Sequence, residues 1–243
     1  VHGTNDVRVG NVLLERLPQT TRNFLLAHLR TVPLALSESI YKPGVRPRFA
    51  TFPVSGVVSV VSFMENGAGV EVGLVGREGL VEAMHLLGEA EAPNTAFVQV
   101  EGTALRMSFT ELQRRFASDP ALVSVILSYV QTVTYSSTQL TACNRLHEVE
   151  ARMARWLLMV QDRMESNVFS LTQEFLGEML GARRSTITVV AARLQQLGLL
   201  RYSRGRIEVL DRAGLVAAAC ECYGVVRSLT PELWTPVAPG AAA

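Results

Sequence analysis

Apolar positions follow two different periods along this chain. From about Tyr41 to Phe109, short valine-rich runs are cut by turn signals at Pro43-Gly44, Gly56, Asn66-Gly67, Gly73 and Gly76. Further along this stretch Val98 and Val100, then Leu105, Met107 and Phe109, alternate in period two, as strands buried on one face do. Several short strands at this spacing predict a small antiparallel sandwich or roll. A helical segment, VGNVLLERLPQTTRNFLLAHL, precedes it.

At Asp119-Pro120 the period changes. The carboxylate can accept from free backbone amides, and proline fits the first helical position without losing a bond. Beyond it Leu122, Ile126, Tyr129, Val133, Ser136, Leu140 and Cys143 recur at alternating spacings of four and three. They form a seam on a helix that would span roughly 36 Å at 1.5 Å per residue. The seam suits a dimer interface and, equally, a core helix lying against the roll. Asn144 marks a junction. The next helix, from about Arg145 to Met164, carries Leu146, Val149, Met153, Trp156, Leu157, Val160 and Met164 on one broad face, which predicts a second core. The fold class is α+β, with a roll over 1–118, a long helix over 119–144 and a smaller domain over 145–227. A proline- and alanine-rich tail, expected to dock loosely, occupies 228–243.

Within the smaller domain, SLTQEFLGEMLG reads as a short helix with Thr172 as N-cap and a buried stripe of Phe175, Leu176, Met179 and Leu180. Gly181 supplies the backbone freedom for a sharp turn. In the next segment, GARRSTITVVAARLQQLGLL, Ile187, Val190, Ala191, Leu194 and Leu197 recur at helical spacing and fix the buried side. The opposite side presents Ser185, Thr188, Val189 and Ala192, with Arg183 and Arg184 at the amino end and Thr186 beside them. This is a helix-turn-helix layout, whose second helix enters the major groove of DNA. Arginine can bond guanine twice, hydroxyls can bond bases or phosphates, and small apolar groups can touch thymine methyls. LLRYSRGRIEVLD follows and predicts a two-stranded wing, with Ser203, Arg204 and Arg206 placed to meet phosphates. Thr172 and Gln173, at the start of the first helix, complete the expected contact set.

Composition changes this picture in only a few places. A 243-residue chain with 48% hydrophobic and 19% charged residues has ample material for a core. No apolar run approaches the roughly 20 residues needed to cross a bilayer, and VHGTNDVRVG has no signal-peptide pattern, so a soluble cytoplasmic protein without a membrane partner is expected. Three cysteines cannot form a disulfide framework, so reduced thiols are the default. The formal charge of +1 hides an asymmetry, since six arginines and no acidic residue lie between Met179 and Ile207. A local basic patch of this kind suits a polyanion.

Taken with the roll, the Asp-Pro long helix and the junction upstream, LTQEFLGEMLGARRSTITVVAARLQQLGLLRYSRGRIEVLDRAGL resembles the Crp/Fnr family of bacterial transcription regulators. The resemblance covers nearly the whole chain. It implies a roll like that of cyclic-nucleotide-binding domains, a dimerisation helix with Leu122, Ile126, Tyr129, Val133 and Leu140 on its seam, and a winged helix-turn-helix. It also implies a homodimer on a near-palindromic double-stranded DNA site, with RNA polymerase as a further partner. Many members read DNA through an arginine-glutamate pair and a later arginine. Here Arg184 keeps the first place, Ser185 replaces the glutamate and Val189 the later arginine, so the implied activity transfers and the target sequence does not.

The effector is less well indicated. In the motif GREG (Gly76, Arg77, Glu78, Gly79), Arg77 stands where cyclic-nucleotide binders of this fold keep a glutamate. The stretch PNTA, containing Asn94 and Thr95, lacks their phosphate-binding arginine. These residues are the expected effector pocket, but ordinary cyclic AMP binding is not expected, because a buried phosphodiester would lose its charge partner. An iron-sulfur cluster is not expected either, for want of four suitably spaced cysteines. Cys220 and Cys222 read as residues of an alanine-rich helix beginning near Asp211, facing different ways. His2, His28, His85 and His147 show no ligand spacing with them, so no metal or cofactor is expected. One alternative function is a signal-binding module whose winged helix makes protein contacts. An enzyme has no nucleophile elbow, P-loop, dinucleotide fingerprint or metal motif to support it.

Overall fold

The structure, a computed structural model, describes residues 9–164 and 166–231. Most of the 228–243 tail and the first eight residues lie outside this range. Two short helices, α1 (Val12–Glu15) and α2 (Gln19–His28), open the chain and are separated at Pro18. The roll is built from β1 (Arg30–Leu34), β2 (Ser39–Tyr41), β3 (Phe49–Pro53), β4 (Val57–Phe63), β5 (Gly69–Val75), β6 (Thr95–Val100) and β7 (Gly102–Ser108). They form two antiparallel sheets with strand orders β1-β7-β3 and β2-β6-β4-β5. The alternation at Val98 and Val100 and at Leu105 and Met107 falls on the central strands β6 and β7. β1 precedes the stretch that reads as strand, and its pattern is too exposed to announce itself.

Phe109 is not a strand residue; it begins α3 (Phe109–Ser118). The long helix α4 (Pro120–Leu146) starts as its sequence requires. Asp119 Oδ1 accepts from the backbone N–H groups of Ala121 and Leu122 at 3.0 and 3.2 Å, with Pro120 in the first turn. It runs past Asn144, and the break comes at His147, after which α5 covers Val149–Met164. Leu146, expected on the buried face of the second helix, is exposed at the end of the first. The smaller unit comprises β8 (Val168–Ser170), α6 (Gln173–Met179), α7 (Arg184–Gln196), β9 (Leu200–Ser203), β10 (Arg206–Val209), α8 (Arg212–Ala218) and α9 (Cys222–Leu229). Its sheet has the order β8-β10-β9, so the wing carries a third strand that the hairpin pattern does not reveal.

The seam of α4 is packed inside its own chain. Leu122, Ile126 and Tyr129 join Leu13, Leu14, Leu25, Phe52 and Leu112 in one buried cluster, with Val133 at its edge, and Leu140 joins the cluster around Trp156. Leu122, Ile126, Tyr129 and Leu140 are thus covered by the chain's own roll and smaller unit, and Val133 is half-buried beside them. The second core is also not separate. Trp156, Leu157, Leu176, Ile187, Leu194, Ile207 and Leu215 are continuous with Val57, Val61 and Leu74 of the roll. From Arg152 to Arg163, α5 is buried on all sides, since it lies between the two units.

Several of its buried polar groups find partners, as a low-dielectric setting favours. Trp156 Nε1 donates to Glu71 Oε1 at 2.8 Å, Arg163 Nε to Glu78 Oε1 at 2.7 Å, and Arg212 Nη2 to Asp162 Oδ1 at 2.6 Å. Among the described residues no single helix is long and apolar enough to cross a membrane.

Candidate nucleic-acid interface

The helix-turn-helix is positioned by a few local features. Thr172 caps α6 by accepting from the Phe175 N–H at 3.1 Å. Gly181 adopts φ +56°, a left-handed conformation that a side chain would oppose. Gly177 is needed for a different reason: a Cβ there would lie 2.8 Å from the Ala182 carbonyl oxygen, where the chain folds back over α6. Ile187, Val190, Ala191 and Leu194 of α7 are buried, whereas Leu197, expected with them, is exposed at the C-cap.

The other side of α7 faces solvent. Arg183, Arg184, Ser185, Thr186, Thr188, Val189 and Ala192 are all exposed, and Val189 keeps 69% of its surface. The N-cap Arg183 makes no side-chain cap, so the first N–H groups of the helix stay open to a phosphate or base. Thr188 Oγ1 lies 2.7 Å from Gln173 Oε1, which links two of the expected contact residues, one on α6 and one on α7. Sequence reading missed two supports. Gln195 Oε1 accepts from the Tyr202 N–H at 2.8 Å, and the Tyr202 hydroxyl donates to the Leu171 carbonyl at 2.7 Å. Both fix the wing to the helices, through residues whose types carry no signal of that role.

At the wing tip Arg204 and Gly205 take φ values of 50° and 74°, the pair of left-handed residues that a tight two-residue hairpin turn demands. Ser203, Arg204 and Arg206 are exposed. The basic run is not uniform. Arg193 pairs with Glu150 at 3.2 Å and Arg201 with Glu208 at 2.8 Å. Arg183, Arg184, Arg204 and Arg206 have no ion pair among the described residues, so four cations remain on the surface shared by α7 and the wing.

The expected effector residues do not converge. Gly76 and Gly79 are closed off by side chains. A Cβ at Gly76 would lie 2.8 Å from Arg163 Cγ, and one at Gly79 would lie 2.0 Å from the Tyr129 hydroxyl. Glu78 is buried in its pair with Arg163, and the Arg77 carbonyl accepts from the Val12 N–H at 2.7 Å. The GREG turn is thus stitched to α4, α5 and the amino-terminal segment. Thr95 pairs with Val61 in the sheet, and only Asn94 of the six borders the main cavity.

That cavity, about 520 Å³, lies between the roll and α4. Tyr41, Val72, Leu74, Tyr129 and Val133 are among its walls, and no lysine or arginine lines it among the described residues. His85 also borders it, with neither buried ring nitrogen hydrogen-bonded, and burial lowers its pKa.

The cysteines also differ from expectation. The alanine-rich helix α8 ends at Ala218, so Cys220 lies in the turn before α9, and Cys220 and Cys222 converge with Cys143 and His147.

Residues 151–218 match the Crp-like helix-turn-helix domain family. No curated protein sequence matches the chain. Solved structures with the same fold include the c-di-GMP responsive global regulator CLP of Xanthomonas campestris, at 18% identity and a TM-score of 0.64 over 79% of this chain and 99% of that one. A putative Crp/Fnr-family transcriptional regulator of Eubacterium rectale matches at 16% identity and 0.67, over 87% and 99%. A CRP-family regulator of Thermus thermophilus matches at 23% identity and 0.65, over 77% and 96%. Residues 151–218 thus belong to the Crp-like helix-turn-helix domain family, and the described chain has the fold of these Crp/Fnr-type regulators.

Proposed function

We infer that the chain works in the cytoplasm as a homodimer, reading a near-palindromic site with the amino ends of two α7 helices. The observation that carries this is the exposed surface of Arg183, Arg184, Ser185, Thr188 and Val189, flanked by Arg204 and Arg206. Arg184 and the hydroxyls would contact base edges, while the wing arginines and the open amides of α7 would hold phosphates. With Leu122, Ile126, Tyr129 and Leu140 buried within the chain, the solvent side of α4 is left for a partner, and there Leu127 and Tyr135 retain 48% and 54% of their surface. Two copies joined there would present half-sites about 34 Å apart, one helical turn of DNA. RNA polymerase is the expected second partner.

The effector, on this reading, enters the cavity beneath α4, where occupancy would bias the arrangement of that helix. Its walls favour an uncharged, largely apolar molecule. Cyclic AMP, or the c-di-GMP to which the X. campestris regulator responds, would bring phosphates to a wall without a cation. Selection of bound duplexes from a random pool tests the DNA reading. A symmetric motif with steep loss of binding as salt rises is expected, and equal recovery of all sequences at low ionic strength would refute it.

A further inference from the structure

Four side chains capable of holding a metal meet where α4 ends. Cys143 and His147 stand one helical turn apart in and just after its last turn, and Cys220 and Cys222 flank Glu221 at the start of α9. One ligand atom from each lies within 4.8 Å of all the others. Cys143 Sγ is 3.5 Å from Cys220 Sγ, and Cys222 Sγ is 3.5 Å from His147 Nδ1. Bonds of about 2.3 Å to sulfur and 2.0 Å to nitrogen around a tetrahedral ion put ligand atoms roughly 3.8 Å apart, so closure needs shifts of about 1 Å or less.

The surroundings fit the same chemistry. His147 Nε2 lies 3.1 Å from Glu221 Oε1, which leaves Nδ1 as the nitrogen facing the sulfurs. A carboxylate behind a ligating imidazole fixes its tautomer and raises its basicity. Gln139 Nε2 donates to Cys222 Sγ at 3.1 Å, as suits a thiolate. All three cysteines are buried and Arg152 and Arg155, buried with unpartnered Nε atoms, lie within electrostatic reach of Cys143 and Cys220.

We propose that Cys143, His147, Cys220 and Cys222 form a structural Zn²⁺ site that clips α9 to the end of the long helix. Three thiols release three protons to the solvent as the ion enters. Two positive charges on the metal against three thiolates leave one negative charge, which the nearby arginines favour. A disulfide between Cys143 and Cys220 is the competing chemistry; it would leave the arrangement of Cys222, His147 and Glu221 without a use. Four protein ligands with no open position mark a structural ion, not a catalytic one. The site joins the segments on either side of the smaller unit, so it sets how that unit hangs from α4. It does not depend on the DNA reading.

The test uses the full chain, purified anaerobically with reductant and no chelator. Elemental analysis should find one zinc per chain, and Co²⁺ added to the apoprotein should give the visible absorption of a tetrahedral thiolate complex, saturating at one equivalent. Cys222→Ser should abolish that absorption. Glu221→Gln, which leaves all four ligands in place, should keep it while weakening affinity by about 10–100-fold against a competing chelator. Protein without zinc whose apo form gives no such absorption with Co²⁺ would overturn the proposal, as would a Cys143–Cys220 disulfide found by mass spectrometry in the anaerobic preparation.

Discussion

Arg163 Nε lies 2.7 Å from Glu78 Oε1, with both side chains buried, so an arginine of α5 fills the space over the GREG turn of the roll. Removing one member of such a pair strands a charge in a low dielectric, at a cost of about 3–5 kcal/mol, whereas replacing both with apolar groups costs far less. Arg163→Ala is therefore expected to lower stability in urea by about that amount. Arg163→Met with Glu78→Leu should recover most of it. Equal losses in the single and double variants would show that the contact is packing alone.

Glu71 bridges the same interface through Trp156, and burial pushes its carboxyl up to about 7, although hydrogen bonds from Ser59 and Trp156 pull the other way. An unfolded glutamate titrates near 4.5. Below that value both states hold the proton. Between there and about 7 only the folded state does, so stability falls as pH rises through this window, by at most about 1.4 kcal/mol per pH unit for this group. Above it the contribution is constant. Glu82, buried beside Thr51 and also raised to about 7, adds a parallel slope. Glu71→Gln should flatten the decline in denaturation midpoint between about pH 5 and 7 by roughly half. An unchanged slope would assign the dependence elsewhere.

Because Leu122, Ile126, Tyr129 and Leu140 of α4 are buried within the chain, the dimer reading makes a residue-level prediction that differs from the seam pattern. Leu127→Asp combined with Tyr135→Asp should give folded monomers in sedimentation, with circular dichroism retained. Leu122→Asp should instead unfold the chain, since Leu122 is fully buried within the monomer. A folded Leu127/Tyr135 variant that stays dimeric would move the interface off this helix.

The sequence made the helix-turn-helix legible because its signals are local. A cap at Thr172, a left-handed glycine at Gly181 and a helical period through Ile187 and Leu194 each act within a turn or two. The α4 seam shows the limit of such reading. A period of three and four reports that one face is covered, but not whether a partner or the chain's own roll covers it. The GREG turn misled for a related reason: its closure depends on Arg163 and Tyr129, which are remote in sequence. Convergence of Cys143 with Cys220 likewise comes from the docking of α9 on α4, which no spacing along the chain encodes.

At the interface with DNA, Arg184 and Arg204 should behave differently when removed. Arg184 opens α7 on the side that would enter the groove, so Arg184→Ala should cost about 1–3 kcal/mol on the preferred site and broaden the selected half-site at one position. Arg204 sits at the wing tip with φ 50°, a left-handed conformation that asparagine adopts more readily than most residues, so asparagine is the better probe. Arg204→Asn keeps the hairpin and removes one cation. It should weaken all duplexes alike and lower the salt slope by about 1 per protomer. Binding measured across a salt series, on the selected site and on a scrambled duplex, separates the two. If Arg204→Asn altered base preference while Arg184→Ala left it intact, the wing would be the reading element and α7 would lie along the phosphates.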